Sequence, residues 1–433
     1  MTVAALLARY PDIEVHLFES KPEIRAIGAG IAVWKRFWDI FEEYMDMDEL
    51  SVATEYLLVA NSTLVRGPVL RKSDTSSGGV DFSQIPHGPR LVPRDALLDI
   101  LHTHADTGRC HIKTNKKMKS YIQEDSGRVT LLFEDGSDFK TDVLIGADGV
   151  HSRVRQHMFP SNDVLSAPHF SGQFAYRMSC PKADVQKRHP NNVALDGFKI
   201  WCGKGRHVTS NTVRDDIQMT AYDNVFDADG VAPPFDGSWV AEVPSSQIAE
   251  RFAGWEPDLA DLLQVPTVAS RWAVHVVHPL PTFATDRVCL IGDAAHAMTP
   301  HQGLGGGQGV EDAYILARLL GHPGMTASDV PQALKIYDSI RRPASQTVSR
   351  QSLVNGLTYG FFGMEAKALS LPEIGEELVE SCRWLLEDRG AEKEWLKAKS
   401  ALSAALEQCE DDPASSNLLP GTRHREAMVC HHG

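Results

Sequence analysis

The alternation of hydrophobic and polar positions predicts mixed helices and strands at both ends of the chain and a long β-rich stretch between them. Residues 2–10 read as a helix fragment that stops at Pro11-Asp12, and Glu14-Val15-His16-Leu17-Phe18 as a short buried strand ending at Glu19. A helix followed by a strand is the second half of a βαβ unit. Residues 25–32 read as a loop, followed by an apolar helix through Trp34, Phe37, Trp38 and Phe41. Strands are expected over about 54–84, broken at Ser76-Ser77-Gly78-Gly79. Pro93-Arg94-Asp95 opens a helix over 96–104 with Leu97, Leu98 and Leu101 at helical spacing, and strands follow near 129–133 and 142–145. From about 170 to 279, short β-rich runs at 174–178, 199–202 and 218–222, with a polar break at 227–230, suit a mostly antiparallel sheet on a separate lobe. A strand returns at 287–291, then a Gly-rich loop and a helix over 308–320. The remainder is helical in composition, with a tail from Asp411-Asp412-Pro413 expected to be loosely ordered.

At 433 residues the chain needs two or three packed units rather than one core. Its 43 Lys+Arg against 57 Asp+Glu leave a net charge of −14, and no basic run exceeds a pair such as Lys116-Lys117, which argues against a nucleic-acid partner. No stretch approaches the ~20 apolar residues of a membrane span. The first residues carry no cationic segment before their short apolar run, so no signal peptide is expected. Seven scattered cysteines without a C-x-x-C pair fit neither a disulfide framework nor a zinc site, and point to a reducing, cytoplasmic setting. No internal repeat is visible.

Three pieces far apart in sequence carry the chemistry. The strongest runs from Arg287 to Ala313: a buried strand, Gly292-Asp293, Pro300-His301-Gln302-Gly303, then Gly305-Gly306-Gly307 in a loop that leads into a helix. Asp293 at the strand's end can accept a hydrogen bond from a ligand hydroxyl, glycines let a ligand approach the backbone, and the helix start offers N–H groups and a positive dipole end. The second piece, Val143-Leu144-Ile145-Gly146-Ala147-Asp148-Gly149, is again strand and tight turn, then a basic helix start; it reads as a ligand turn or a plain capped turn. The third is Glu19, where a dinucleotide fold grips ribose hydroxyls, or simply a solvated strand end. Arg94 is a ligand contact or a surface cation.

Together these residues resemble the single-component FAD-dependent aromatic hydroxylases, closest to the salicylate-hydroxylase-like branch, over most of the chain from Thr2 to about Phe362. Gly292-Asp293, Pro300-His301-Gln302-Gly303, Asp148-Gly149, Arg94 and Tyr337-x-x-x-Arg341-Arg342-Pro343 carry the likeness. It implies an α/β chain, α+β overall: a Rossmann-like FAD-binding domain (1–65, 90–168, 280–345) interleaved with a mostly antiparallel substrate domain (66–89, 169–279) and a helical C-terminal segment (346–433). It implies FAD held by Glu19 at the adenosine ribose, by the loop from Gly28 to Ala32, by Arg94, and by Asp293, Gly305 and Gly306 at the ribityl-flavin end. Asp148 would serve FAD and the nicotinamide cofactor. The family opens with a strand and a Gly-x-Gly-x-x-Gly turn, whereas this sequence starts inside the helix that follows. A start codon set too far downstream, or a fragment, is the expected reason. The absence would remove several charge-assisted hydrogen bonds of about 1.5–3 kcal/mol each, so weak FAD binding or poor folding is expected, with flavin stoichiometry as the measure.

The resemblance also implies a reaction: NADH or NADPH reduces FAD, dioxygen gives a flavin C4a-hydroperoxide, and an electron-rich aromatic substrate is hydroxylated, in the salicylate branch with loss of a ring carboxylate. Arg177 matches an Arg that activates the phenol; Asn211 stands where related enzymes carry a Tyr, so that Tyr's role is not transferred. His301 would relay a proton or hydrogen-bond the substrate, or else be a surface loop histidine. Phe198, Trp201 and Met219 would line the pocket or serve as ordinary core. Oxygenation of a non-aromatic secondary metabolite, and a truncated chain without activity, are the alternatives. Beyond small molecules the sequence marks no partner, and the oligomeric state stays open.

Overall fold

The computed structural model describes residues 1–26, 30–44, 65–227, 231–362, 369–410 and 425–431. Gly28, the strands expected over 54–64 and the tail over 411–424 lie outside these residues.

The first of two large sheets has six strands in the order Ala284–Thr285, Val288–Leu290, Val143–Ala147, Arg425–His431, Ile13–Glu19 and Cys110–Lys113. All its ladders are parallel except the Ala284–Thr285 edge. Its central strands are apolar along both faces, as a parallel sheet covered on two sides requires: Val15, Leu17, Leu144, Ile145, Met428 and Val429 are all fully buried. On one face, Phe18 packs against Phe133, and His16 and Phe18 against Phe139, of the small antiparallel sheet Met118–Gln123, Val129–Phe133, Asp138–Thr141. Strand alternation turns Ile13, Val15 and Leu17 to the other face, where the helices Thr2–Leu7, Arg94–Ala105 and Gly305–Leu320 pack together.

One expectation is corrected here. The tail past Asp411 is not loose throughout, because Arg425–His431 is a strand at the middle of this sheet, paired on one side with Ile13–Glu19 and on the other with Val143–Ala147. Its four residues Ala427-Met428-Val429-Cys430 are buried, which gives this short run the burial that a central parallel strand demands.

The second sheet has eight strands, ordered Val240–Pro244, Val268–Val276, His169–Pro181, Asp216–Asn224, Arg206–Val213, Lys199–Gly203, Val69–Lys72, Val80–Gln84. It is antiparallel apart from the pairing of Lys199–Gly203 with Val69–Lys72. One face, with Tyr176, Met178, Trp201 and Met219, is sealed by Ile248 of the helix Ser246–Arg251, Phe252 just past its end, and Leu259 and Leu262 of the helix Pro257–Leu263. Alternation leaves Gln173, Arg177, His207 and Tyr222 on the opposite face, toward the Gly-rich loop. The mixed α/β class expected from the sequence is the one observed.

Candidate active site

The Gly-Asp segment folds as its pattern dictates. Strand Val288–Leu290 ends in Gly292, whose φ of +59° an L side chain rarely adopts, and the short helix Asp293–His296 begins at once. The loop then turns at Gly303 (φ +66°) into the helix Gly305–Leu320. That helix has Leu304 as N-cap with no side-chain cap, so its first-turn N–H groups remain available to an outside acceptor. A Cβ added at Gly305 would meet nothing nearer than the Asp293 Oδ1 at 3.8 Å. Asp293 and Gly306 are exposed at this edge, and the Asp293 carboxylate accepts no hydrogen bond among the described residues.

The turn is held from behind. Asp312 accepts hydrogen bonds from Gly292 N (2.9 Å) and His296 Nε2 (2.6 Å), and from Arg341 Nε at 2.9 Å. Arg341 also binds Glu311 (2.8 Å), Gln308 (2.7 Å) and Glu394 (2.6 Å), while the Tyr337 hydroxyl donates to Leu290 O at 2.8 Å. The Tyr337/Arg341 motif is therefore scaffold for the loop.

Ala32 lies in the strand Gly30–Val33, antiparallel to Arg90–Pro93. It abuts Gly303, whose added Cβ would sit 3.0 Å from the Ala32 Cβ, and Trp34 Nε1 donates to Gln302 O at 3.0 Å. Arg94 opens its helix half-buried and donates from Nε to Gly30 O at 3.0 Å. Burial first, then the charge of Arg177, lowers the Arg94 pKa, while Asp293 raises it. Arg94 thus stands within electrostatic reach of both Arg177 and Asp293, so segments remote in sequence converge on one cleft. Arg177 is exposed, its guanidinium 4.9 Å over the Trp272 ring. Beside the cleft a cavity of about 260 Å³ is lined by Arg66, Arg90, Leu91, Phe198 and Asn211. Trp201 and Met219 are absent from it; they are core on the far face of the sheet, with Trp201 Nε1 satisfied by Ser210 Oγ at 2.8 Å. A larger groove, about 1150 Å³ and lined by Arg36, Glu376, Glu380 and Trp384, contains none of the expected site residues.

His301 is no surface histidine. It is buried beneath the helix Val330–Tyr359, where a Cβ on Gly356 would lie 2.1 Å from its ring. Gln173 donates through Nε2 to Asn224 Oδ1 at 2.8 Å, so its Oε1 accepts from His301 Nε2 at 2.8 Å. That assignment makes His301 Nδ1, which has no partner among the described residues, a buried acceptor. Its ring lies 5.0 Å from that of His207 and 4.9 Å from that of Tyr222. His207 is fully buried with neither ring nitrogen bonded among the described residues; sequence reasoning missed it, although a lone histidine in phase with Asn211 on a β run was the available signal.

Burial pushes the His301 pKa down to about 3 and, with His301's help, the His207 pKa well below its ordinary value. Both rings are neutral when folded and gain a proton on unfolding below about pH 6.5, so stability is full above that pH and falls as pH drops. From pH 8 to 5 the loss should be about 2 kcal/mol per ring. Urea unfolding at the two pH values measures it, and a flat stability would contradict the buried neutral pair.

Glu19 ends one strand of the parallel sheet and Asp148 follows the end of another, the two strands flanking Arg425–His431. The Glu19 carboxylate is fully buried and accepts from Lys21 N (2.7 Å), Ser20 Oγ (3.0 Å) and His431 Nδ1. Burial would raise its pKa, but the hydrogen bond from His431, followed by that from Lys21, holds it at about 2. Asp148 turns its carboxylate onto the start of the helix Arg153–Met158, accepting from Ser152 Oγ (2.5 Å), Arg153 N (2.7 Å) and Val154 N (3.1 Å). Next to it, Arg155 donates to Ala294 O at 2.8 Å, which ties this turn to the Gly-Asp segment.

Glycine backbone, open helix N–H groups and a carboxylate along one edge suit the polar rim of a flavin and its ribityl chain; the class these features define is that of a flavoprotein. The profile described as FAD binding domain matches residues 44–161 and 257–352. A salicylate hydroxylase of Pseudomonas putida is 33% identical over 83% of this chain and 83% of its own length, and a 6-methylsalicylate 1-monooxygenase of Aspergillus terreus is 28% identical over 80% and 78%. Among solved structures, a salicylate hydroxylase substrate complex superposes with a TM-score of 0.76 at 27% identity, covering 91% of this chain and 98% of that one. The chain belongs to the FAD-dependent aromatic hydroxylase family of the salicylate hydroxylase type. It is an FAD-dependent monooxygenase.

Proposed function

We propose that the chain hydroxylates a phenolic or other aromatic small molecule, with dioxygen as oxidant and NADH or NADPH as reductant. A carboxylate on the attacked ring carbon would leave as carbon dioxide. The observation that carries this reading is the exposed Arg177 on the substrate sheet, within electrostatic reach of Arg94 at the cleft. Bound FAD supplies the oxygen-activating chemistry; Asp293, Gly305, Gly306, Ala32 and Arg94 would hold it, with Glu19 at the adenosine end.

The protein's own contribution is electrostatic. A cation within ~4–6 Å lowers a phenol's pKa by about 1–3, so Arg177 would bind the substrate as the more nucleophilic phenolate. Its stacking on Trp272 fixes the guanidinium plane. His301, neutral and with Nδ1 unpartnered among the described residues, suits a hydrogen-bond acceptor for a substrate hydroxyl better than a proton carrier. Cys110, Cys180, Cys202, Cys289, Cys382 and Cys430 are free thiols, and no described helix is long and apolar enough to cross a membrane.

Replacing Arg177 tests the reading. Arg177→Ala is expected to lower kcat/KM for the phenol about 100-fold while leaving the FAD dissociation constant unchanged. Equal losses in both would reassign Arg177 to the cofactor.

A further inference from the structure

The strand Arg425–His431 does more than fill space. It completes, across a break in chain order, a strand–helix–strand unit with the helix Thr2–Leu7 and the strand Ile13–Glu19: parallel ladders join it to Ile13–Glu19 over seven residue pairs, from Ile13↔Arg425 to Glu19↔His431. Its start is pinned, since buried Arg425 pairs with Asp12 and donates to Leu320 O, and Arg425 N donates to Asp12 O at 2.9 Å. Its flank is pinned as well: Thr141 Oγ1 donates to Glu426 O at 2.6 Å and Glu426 N to Asp142 Oδ2 at 2.9 Å. Toward its end, Cys430 is buried with its Sγ 3.8 Å from Met118 Sδ.

This register brings Glu19, His431 and Ala147 level at the carboxyl edge of the sheet, the edge where ligands of open α/β sheets bind. There His431 Nδ1 engages Glu19 Oε2, while Lys21 N and Ser20 Oγ engage Oε1. A carboxylate offers about four acceptor directions. A pair of vicinal ribose hydroxyls donating to both oxygens would have to compete with that imidazole.

We propose that Arg425–His431 serves as the central strand of the cofactor-binding sheet and that His431 occupies the ribose-binding face of Glu19, so that FAD gains this carboxylate only by displacing the imidazole. The inference rests on the reading of Glu19 as the adenosine-end residue. It makes the C-terminal strand both a structural part of the site and a brake on it.

Two measurements on the intact chain test it. The first is native hydrogen exchange with iodoacetamide footprinting read by mass spectrometry. Amides of 425–431 should exchange as slowly as those of Val143–Ala147, and Cys430 should resist alkylation as Cys289 does; rapid exchange with prompt alkylation of Cys430 overturns the strand. The second is FAD titration by flavin fluorescence. His431→Ala should tighten FAD binding about 3- to 10-fold, the release of one competing hydrogen bond, with Cys430 still protected, and Glu19→Gln should weaken it. Unchanged or weaker FAD binding by His431→Ala, where Glu19→Gln does weaken it, overturns the displacement alone. Unchanged FAD binding by both variants overturns the assignment of Glu19 and with it the displacement.

Discussion

An Asp293→Ala variant is expected to bind FAD about 10- to 100-fold more weakly, the worth of one charge-assisted hydrogen bond, while unfolding at the temperature of the parent. The two halves of that expectation come from different observations. The carboxylate is exposed at the cleft and accepts no hydrogen bond among the described residues, so its loss strands no partner. The turn beneath it is held instead by Asp312 on Gly292 N, and Gly292 keeps its own left-handed conformation whatever follows it. Flavin fluorescence titration and thermal unfolding of the apoprotein measure the two quantities. An unchanged FAD affinity would remove Asp293 from the cofactor site, and a large drop in melting temperature would make it a structural residue.

How much of this was legible in the sequence depended on how local each feature is. The Gly-Asp segment could be read because strand, turn and helix follow one another within thirty residues, and the glycines declare where a side chain has no room. Glu19 could be placed because a strand ending in an acid needs only its own seven residues. Faces of a sheet are another matter. Alternation assigns Trp201 and Asn211 to opposite sides of their strands, but nothing in a period of two says which side is core. The answer came from the helices around Phe252 and Leu259 that cover the Trp201 side. His301 was ambiguous for the same reason: its burial is supplied by Gly356, fifty-five residues later. Least legible was Arg425–His431. Its partners lie some 280 and 410 residues earlier, and parallel pairing over such a separation leaves no turn signal to read.

Within the loop's support, the largest effect on stability is expected at Arg341. Arg341→Ala should destabilise the fold by about 3–5 kcal/mol, the range for breaking a buried ion pair from one side. Arg341 is fully buried against Glu311 and Asp312, themselves buried. Its pKa is raised well above the ordinary value because those carboxylates and Glu394 outweigh the burial penalty, while Asp312 is held down, against the same penalty, by His296 and Arg341. Removal leaves Glu311 with Arg36 and Asp312 with His296 in a dry site, so Glu311, already raised by burial, would take up a proton. Arg341→Lys separates charge from geometry. A lysine keeps the charge but cannot reach Asp312, Glu311 and Gln308 with one planar fork, so it should recover less than half of the loss. The same two variants should weaken FAD binding in the same order, because Asp312 holds both Gly292 and His296 and loses its orienting partner in each. Urea unfolding and flavin titration on the pair decide the matter. A loss below about 1 kcal/mol in Arg341→Ala would mean that solvent reaches the network, and that the Gly-Asp turn stands without it.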